Sequence, residues 1–175
     1  MSLVTVLDIE TTMKGVDDSP SPYHPNNYLV SVGWKCEDAF DEYICFKHDD
    51  EPPTPQGRED LQAILDRTRV LVCHNVKFDH SWLLECGFEY DKEVFCTMGY
   101  EYLKAGGTHL PLNLSACCER RGLPTKVDAT KAYIRDGIGF ESMPWHVVEE
   151  YGRNDVQITW DLYWAQQEEL NAGSS

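Results

Sequence analysis

The sequence predicts a mixed α/β domain built around a central sheet. Strand-like runs come first along the chain, and strands then alternate with helices, an order typical of helices packed on a sheet. The first run, residues 3–8, is almost continuously apolar, as expected for a strand that is buried on both faces. No internal repeat interrupts this order, and 175 residues of which 42% are hydrophobic suffice for one domain with its own core.

The individual elements follow from the spacing of apolar residues and from the turn residues that bound them. The predicted strands cover residues 3–8, 28–35, 42–47, 70–73 and 93–97, and the second and third of them form an antiparallel hairpin. The predicted helices cover residues 57–67, 76–86, 99–104, 112–121 and 144–170. A long loop is expected at residues 11–27 and a disordered tail at about 171–175, while residues 126–139 are ambiguous. We therefore expect a single domain over residues 1–175.

The charge of the chain limits how it can bind nucleic acid. It has 30 acidic and 15 basic side chains and a formal net charge of −15. A protein that grips the phosphates of a duplex needs a basic surface, and none is evident in this sequence. Any nucleic-acid binding must therefore be local and assisted by metal ions.

Cysteine usage and hydropathy exclude several other classes. The seven cysteines include no CxxC pair and the six histidines are scattered, which argues against a disulfide framework and against structural zinc. The sequence has no 18-residue apolar run and no charged leader followed by an apolar stretch. These observations predict a cytoplasmic protein, in the host cytoplasm if its source is a virus.

Two carboxylates, Asp8 and Glu10, stand at the end of the first predicted strand. Side chains alternate along a strand, so both share a face with Val4 and Val6. Two negative charges at one strand tip repel each other. Something positive is therefore expected between them, unless they lie in open water.

Two further carboxylates occupy helical positions where apolar side chains are expected. Asp79 lies on the inward stripe of the helix at 76–86, and Asp155 on that of the last helix, with Tyr151 one turn earlier. A carboxylate that faces a core must be protonated, paired with a base or bound to a metal ion. A single one could cap a loop or pair with a buried arginine. Four acids that converge on one point are best explained by divalent cations, which prefer oxygen ligands.

These motifs, taken in order, resemble the DEDD (DnaQ-like) superfamily of 3′–5′ exonucleases. The resemblance lies in DxE at the end of the first strand, HNVKFD opening a helix and YGRND within a late helix. Asp8 and Glu10 match the first motif, Asp79 the second, and Tyr151 with Asp155 the third. The resemblance implies a ribonuclease H-like fold, with a central mixed five-stranded sheet flanked by helices.

The third motif also selects a branch of the superfamily. In the histidine branch, histidine stands five residues before the last aspartate, and this chain has Glu150 there. Tyr151, four residues before Asp155, is similar to the tyrosine (DEDDy) branch, which includes the proofreading domains of DNA polymerases and ribonuclease D-type enzymes. Met13 departs from the glycine that often follows the first motif in the family.

The resemblance implies a catalytic centre with two Mg²⁺ or Mn²⁺ ions, about 3.5–4 Å apart as in other two-metal sites. Their ligands would be the four acids of the motifs, with Tyr151 orienting the attacking water. The implied substrate-binding residues are Thr11, Met13 and Asn75. Met13 either wedges against the terminal base or only packs within the protein. The candidate phosphate contacts, each of which is otherwise a solvated side chain, are Lys77, Lys126 and Lys131.

The function that we favour is removal of nucleotides from DNA 3′ ends, single-stranded or mismatched, in proofreading or trimming. A separate DNA polymerase is then a partner. The alternatives are an RNA exonuclease of ribonuclease D type, a ribonuclease H-like endonuclease and a non-catalytic subunit with the same fold. The sequence shows no contact to a 2′-hydroxyl, the group that distinguishes RNA from DNA, so the choice of nucleic acid stays open.

Overall fold

Five strands form one mixed sheet in a computed structural model that describes residues 3–125 and 128–173. The strands are β1 (Val4–Thr11), β2 (Leu29–Cys36), β3 (Glu42–Cys45), β4 (Val70–Cys73) and β5 (Glu93–Cys96). Their order across the sheet is β3-β2-β1-β4-β5. The ladders β1–β2 and β2–β3 are antiparallel, whereas β1–β4 and β4–β5 are parallel. The predicted hairpin is therefore present, and β1 is the strand at which the sheet changes from antiparallel to parallel pairing.

Strand β1 is longer than the sequence predicts. It continues past Asp8 because its ladder with β2 runs on until Thr11 lies opposite Leu29, with an irregularity after Glu10. Its parallel pairing with β4 ends earlier, at Val6 opposite Val72. The last residues of β1 are thus paired with β2 only. Their other side faces the start of the helix that follows β4.

The helices cover both faces of the sheet. They are α1 (Gly57–Arg67), α2 (Val76–Glu85), α3 (Thr97–Ala105), α4 (Leu114–Arg120), α5 (Thr130–Arg135) and α6 (Trp145–Gly173), and Val16–Asp18 forms a 3₁₀ turn. Helix α5 lies in the segment that was ambiguous in sequence. Helix α6 ends at Gly173 rather than at residue 170, so residues 171–173 of the expected tail are helical; residues 174–175 lie outside the described part of the chain. None of the helices described is long and apolar enough to cross a bilayer.

The alternation of side chains along β1 divides the core between the two faces. Leu7 and Ile9 pack with α1 and α2 on one face, and Val4 and Val6 pack with Val156 of α6 on the other. The predicted faces of β1 are therefore confirmed. Because Asp8 and Glu10 alternate with Leu7 and Ile9, they point toward the face that α6 covers.

Trp82 of α2 anchors the loop that precedes β2. This residue is almost fully buried, and its indole N–H donates a hydrogen bond of 2.9 Å to the carbonyl of Pro20. The bond fastens the long loop between β1 and β2 onto α2. The predicted loop is therefore present with little regular structure, but it is anchored to the core.

A single side chain organises the rest of this loop. The Asn27 carboxamide oxygen accepts hydrogen bonds from the Thr12 hydroxyl (2.9 Å) and the Lys14 backbone N–H (2.6 Å). Its NH₂ group donates to the carbonyls of Ser19 (3.1 Å) and Ser21 (2.9 Å). Asn27 thereby ties both ends of the loop together, which gives the chain after β1 a defined path.

Candidate metal centre

Three of the four predicted acids converge in the folded chain. Carboxylate oxygens of Asp8, Glu10 and Asp155 lie within 4.8 Å of one another, and no other group of three or more acidic, histidine or cysteine side chains in residues 3–125 and 128–173 does so. Asp8 and Glu10 come from the face of β1 that α6 covers, and Asp155 comes from α6. The spacing in sequence, by two residues on a strand and then by 145 residues, thus becomes one cluster.

Asp79 lies beside this cluster but is not a member of it. It belongs to the first turn of α2, where its side chain is only 3% exposed. Burial and the charge of Asp8 raise the pKa of Asp79 well above its usual value, while the backbone N–H groups of Ile9 and of Asp79 itself oppose the rise. Asp79 therefore stands within electrostatic reach of Asp8, next to the residues of β1 that β4 leaves unpaired.

The cluster holds negative charge that is partly removed from water, with Glu10 buried and Asp8 and Asp155 half-buried. Burial raises the pKa of Asp8 to about 6, although a hydrogen bond with Glu10 opposes the rise. Burial also raises the pKa of Glu10 well above its usual value, and the charges of Asp8 and Asp155 raise it further. Asp8 and Glu10 therefore both hold a proton more tightly than exposed carboxyl groups do.

A divalent cation fits this set of donors. The Oδ2 atom of Asp8 is buried and has no hydrogen-bond partner among the described residues. A buried acceptor that remains unsatisfied costs about 1–3 kcal/mol, and more when it is charged. Several carboxylate oxygens around one point are the ligands that Mg²⁺ uses in proteins. Asp8, Glu10 and Asp155 could thus hold a cation, which would also satisfy the buried Oδ2 atom of Asp8.

Tyr151 flanks the cluster from the preceding turn of α6. Its ring packs against Phe140 with 5.6 Å between the ring centroids. Burial raises the pKa of the Tyr151 phenol far above its usual value, and the charges of Asp155 and Glu10 add to the rise. The phenol is therefore protonated at neutral pH and can donate a hydrogen bond, but it is a poor base.

A cavity of about 370 Å³ opens beside Tyr151 and Asp155. It lies within the size range of small-ligand sites. Its wall includes Lys131 of α5, a predicted phosphate contact whose side chain is exposed. Lys77 is exposed on α2 and does not line this cavity, and Lys126 lies outside the described residues.

The three predicted substrate contacts have different surroundings. Asn75 precedes α2 with a left-handed backbone (φ 79°), rare for a residue other than glycine, and its side chain makes no capping bond to the helix. Met13 is half-buried and lines a second cavity of about 340 Å³ with Ile138 and Glu141. Thr11 is 5% exposed, and its hydroxyl donates to the Thr12 carbonyl (3.1 Å), so that hydroxyl is engaged within the protein.

The sequence analysis missed a tyrosine and a glycine that border the cluster. Tyr43 of β3 is buried, and its pKa is raised by burial and by the charge of Glu10. Gly152 directly follows Tyr151 in the interior of α6. Glycine within a helix costs about 1 kcal/mol relative to alanine, and this cost is the signal that could have drawn attention to the position. No comparable signal marks Tyr43, because buried tyrosines are common in strands.

Comparison with known proteins gives matches in structure. No protein-family model matches the chain, and no curated protein matches it in sequence. NrnC from Brucella melitensis, with bound Mg²⁺, matches with a TM-score of 0.65 at 17% identity over 98% of this chain and 75% of NrnC; NrnC bound to pGG also matches. A structure described as the apo form of the nuclease has a TM-score of 0.69 at 19% identity, over 98% of this chain and 74% of that one.

A polymerase shares the same architecture. The family B DNA polymerase from the archaeon Pyrobaculum calidifontis matches with a TM-score of 0.67 at 18% identity, over 93% of this chain. The matched part is 24% of the polymerase, so this chain spans about a quarter of that protein. These likenesses confirm the predicted fold class: the chain has a ribonuclease H-like α/β fold, with a mixed five-stranded sheet flanked by helices.

Proposed function

We propose that this protein is a metal-dependent nuclease, and more specifically a 3′–5′ exonuclease of the tyrosine branch of the DEDD superfamily. The observation that carries the proposal is the cluster of Asp8, Glu10 and Asp155, in which carboxylate oxygens of the three residues lie within 4.8 Å of one another. Asp8 also has a buried oxygen, Oδ2, without a hydrogen-bond partner among the described residues. Two similarities of fold support it, one to NrnC with bound Mg²⁺ and one to a DNA polymerase.

The four acids have complementary roles in this proposal. Asp8, Glu10 and Asp155 would hold a divalent cation directly, and Asp79 would complete the set for the second of two Mg²⁺ or Mn²⁺ ions. When bound, such ions stabilise charge on a phosphoryl oxygen and lower the pKa of a water. Their positive charge also relieves the repulsion among the carboxylates and allows the phosphate of a substrate to approach an otherwise acidic chain.

The remaining side chains orient the reacting groups. The protonated hydroxyl of Tyr151 would donate a hydrogen bond to the attacking water or to a phosphate oxygen, which fixes the direction of attack on the 3′-terminal phosphodiester. Lys131 would contact a phosphate in the cavity that it shares with Tyr151 and Asp155. Asn75 and Met13 would contact the terminal nucleotide. A single strand needs a short groove with stacking surfaces rather than a basic face.

DNA 3′ ends are the proposed substrate, with a separate DNA polymerase as the partner whose products are edited. RNA is the second candidate, because the fold matches NrnC and the DNA polymerase with nearly equal TM-scores of 0.65 and 0.67 and so gives no preference for DNA. NrnC has been observed with pGG, which makes short oligonucleotides a reasonable third arm of the test.

The test compares matched 5′-labelled substrates in Mg²⁺ and in Mn²⁺. They are single-stranded DNA, RNA of the same sequence, a duplex with a mismatched 3′ end, and a dinucleotide. A ladder that shortens from the 3′ end of DNA supports the proposal, and a ladder on RNA alone supports the second candidate. Internal cuts, or no cleavage of any substrate, would contradict both.

Replacing Tyr151 by phenylalanine should slow turnover by about 10²-fold, in the range of groups that position or transfer a proton. Because the ring and its contact with Phe140 remain, folding and cation binding should be unchanged. The measurement is kcat at saturating Mg²⁺ across pH 6–9. Tyr163→Phe, on the same helix within the core contact to Val4 and Val6, is the matched control and should keep at least about half of the wild-type rate. A Tyr151→Phe enzyme as fast as that control would remove Tyr151 from the mechanism.

Replacing Lys131 by methionine should raise KM by about fivefold to tenfold and change kcat little, because it removes a positive charge from the cavity wall while keeping most of the aliphatic stem. The loss should shrink as salt is increased, since salt screens contacts to phosphate. Steady-state kinetics at 50 and 200 mM NaCl measure both effects. Arg135→Met, which removes an exposed charge from the same short helix, should leave KM within about twofold of wild type; equal effects of the two variants would point to a general charge effect.

A further inference from the structure

Tyr43 fills the gap between the sheet and α6 beside the acidic cluster. Its ring lies between Gly33 of β2, which it faces in the β2–β3 ladder, and Gly152 of α6. A Cβ atom on Gly152 would lie 2.3 Å from both Cε2 and Oη of Tyr43, and one on Gly33 would lie 2.7 Å from Cδ2. Neither position therefore has room for a side chain while the phenol is in place.

The hydroxyl of Tyr43 joins the same two elements. It forms a hydrogen bond of 2.8 Å with the Ser31 hydroxyl of β2 and donates one of 3.3 Å to the carbonyl of Val148 in α6. The Tyr43 side chain is 8% exposed. Both its shape and its hydrogen bonds thus set how closely α6 approaches the sheet at this point.

The residues of β2 that Tyr43 contacts are paired with the acids of β1. In the β1–β2 ladder, Gly33 is the partner of Asp8 and Ser31 is the partner of Glu10. The two residues of β2 that Tyr43 touches are therefore the immediate neighbours of the two acids. The strand that carries Tyr43 is at the edge of the sheet, two strands away from β1.

The contact on α6 lies within the turn that supplies the other half of the centre. Gly152 is next to Tyr151 and three residues before Asp155. Carbon atoms in contact are normally about 3.5–4 Å apart, so a methyl group at residue 152 would have to push this turn away by about 1 Å. Displacements of that size can cost about 10²-fold in rate.

We infer that Tyr43 is a positioning residue of the metal centre, and that it acts through Gly152 to fix the distance at which α6 holds Asp155 and Tyr151 against Asp8 and Glu10. The effect on catalysis rests on the proposed function. The effect on cation binding does not require any substrate and can be measured separately.

The decisive variant is Gly152→Ala, tested together with a rescue. We expect it to raise the Mg²⁺ concentration for half-maximal thermal stabilisation by about tenfold and to lower kcat by about 10²-fold. In the Tyr43→Leu background the clashing atoms Cε2, Cζ and Oη are absent, so adding Gly152→Ala there should change the Mg²⁺ midpoint by less than about twofold. A role for Tyr43 in general packing alone predicts instead that the two substitutions add in their effect on stability and leave the Mg²⁺ midpoint unchanged.

Two controls complete the experiment. Gly99→Ala introduces a methyl group into helix α3, where the nearest atoms lie at 3.4 Å or more, and should leave the Mg²⁺ midpoint and kcat near wild type. Tyr43→Phe keeps the ring but loses the hydrogen bonds to Ser31 and Val148, and should raise the Mg²⁺ midpoint by about threefold. This second variant decides the matter if Gly152→Ala does not fold, as judged by circular dichroism.

The outcomes separate this inference from the proposed function. A Gly152→Ala protein with the wild-type Mg²⁺ midpoint, or one whose defect is equally large in the Tyr43→Leu background, would overturn the positioning role. An unchanged midpoint in Tyr43→Phe would do the same if Gly152→Ala cannot be purified. A wild-type protein that is stabilised by Mg²⁺ but active on no nucleic acid would overturn the proposed function alone, and one that Mg²⁺ does not stabilise would overturn both.

Discussion

Asp155→Asn should abolish nuclease activity, with a fall in kcat of at least about 10³-fold. The substitution keeps the size of the side chain but removes one of three charged oxygens that lie within 4.8 Å of one another. A bound metal ion contributes several kcal/mol of stabilisation to a phosphoryl transition state, and about 4 kcal/mol corresponds to three orders of magnitude in rate. The measurement is degradation of the preferred 5′-labelled substrate at saturating Mg²⁺.

The matched control for this variant lies on the same helix. Asp161 is six residues further along α6, where its carboxylate accepts a hydrogen bond of 3.0 Å from the Gln157 side chain. Asp161→Asn makes the same chemical change away from the cluster and should retain the wild-type rate within about twofold. If Asp155→Asn degrades substrate as fast as this control, the cluster is not the catalytic centre.

The metal-free protein should become less stable as the pH rises from about 4 to 7.5. Burial raises the pKa values of Asp8, Glu10 and Asp79 in the folded protein, whereas the same groups titrate near pH 4 in an unfolded chain. The folded state thus binds more protons than the unfolded state in this window, and stability falls as those protons are lost. For Asp8, a rise from the ordinary 3.8 to about 6 corresponds to a loss on the order of 3 kcal/mol, or roughly 6–12 °C in Tm.

Magnesium should reverse this loss, because a cation replaces the protons. The measurement is thermal unfolding with EDTA or with Mg²⁺ at pH 5 and at pH 7.5 and constant ionic strength, and the Mg²⁺-dependent rise in Tm should be larger at pH 7.5. Asp8→Asn should be more stable than wild type in EDTA at pH 7.5 and should respond little to Mg²⁺. Asp161→Asn again serves as the control and should follow wild type. A Mg²⁺ effect that is equal at both pH values would show that these carboxylates do not titrate as the structure indicates.

The acids of the site could be predicted from the sequence because each one departs from the local pattern of apolar residues around it. Asp79 and Asp155 occupy positions in a helical stripe that apolar side chains normally fill, and the two-residue spacing of Asp8 and Glu10 places both on one face of a strand. Such patterns depend on neighbours along the chain. They could therefore identify the residues of the cluster without knowledge of how the strands and helices pack, and they predicted the α/β sheet in the same way.

Features that depend on contacts between residues distant in sequence could not be predicted from such local patterns. Tyr43 lies beside the centre because β3 pairs with β2 in one register and because α6 packs against β3. Val148, its hydrogen-bond partner in α6, is more than 100 residues away in sequence. The capacity of Asn27 to organise its loop depends on four partners that have no regular spacing. The separation of Asp79 from the other three acids is likewise set by how α2 packs against β1, and nothing in the spacing of the motifs determines it.

The wide spacing of the acids along the chain has a consequence for biosynthesis. Asp8 and Glu10 are synthesised more than 140 residues before Asp155. Contacts that close such long segments form only after shorter-range structure, because they carry a larger entropic cost. A nascent chain on the ribosome therefore has no complete cation site, and the proposed nuclease stays inert toward nearby messages and genomes until α6 has emerged and docked.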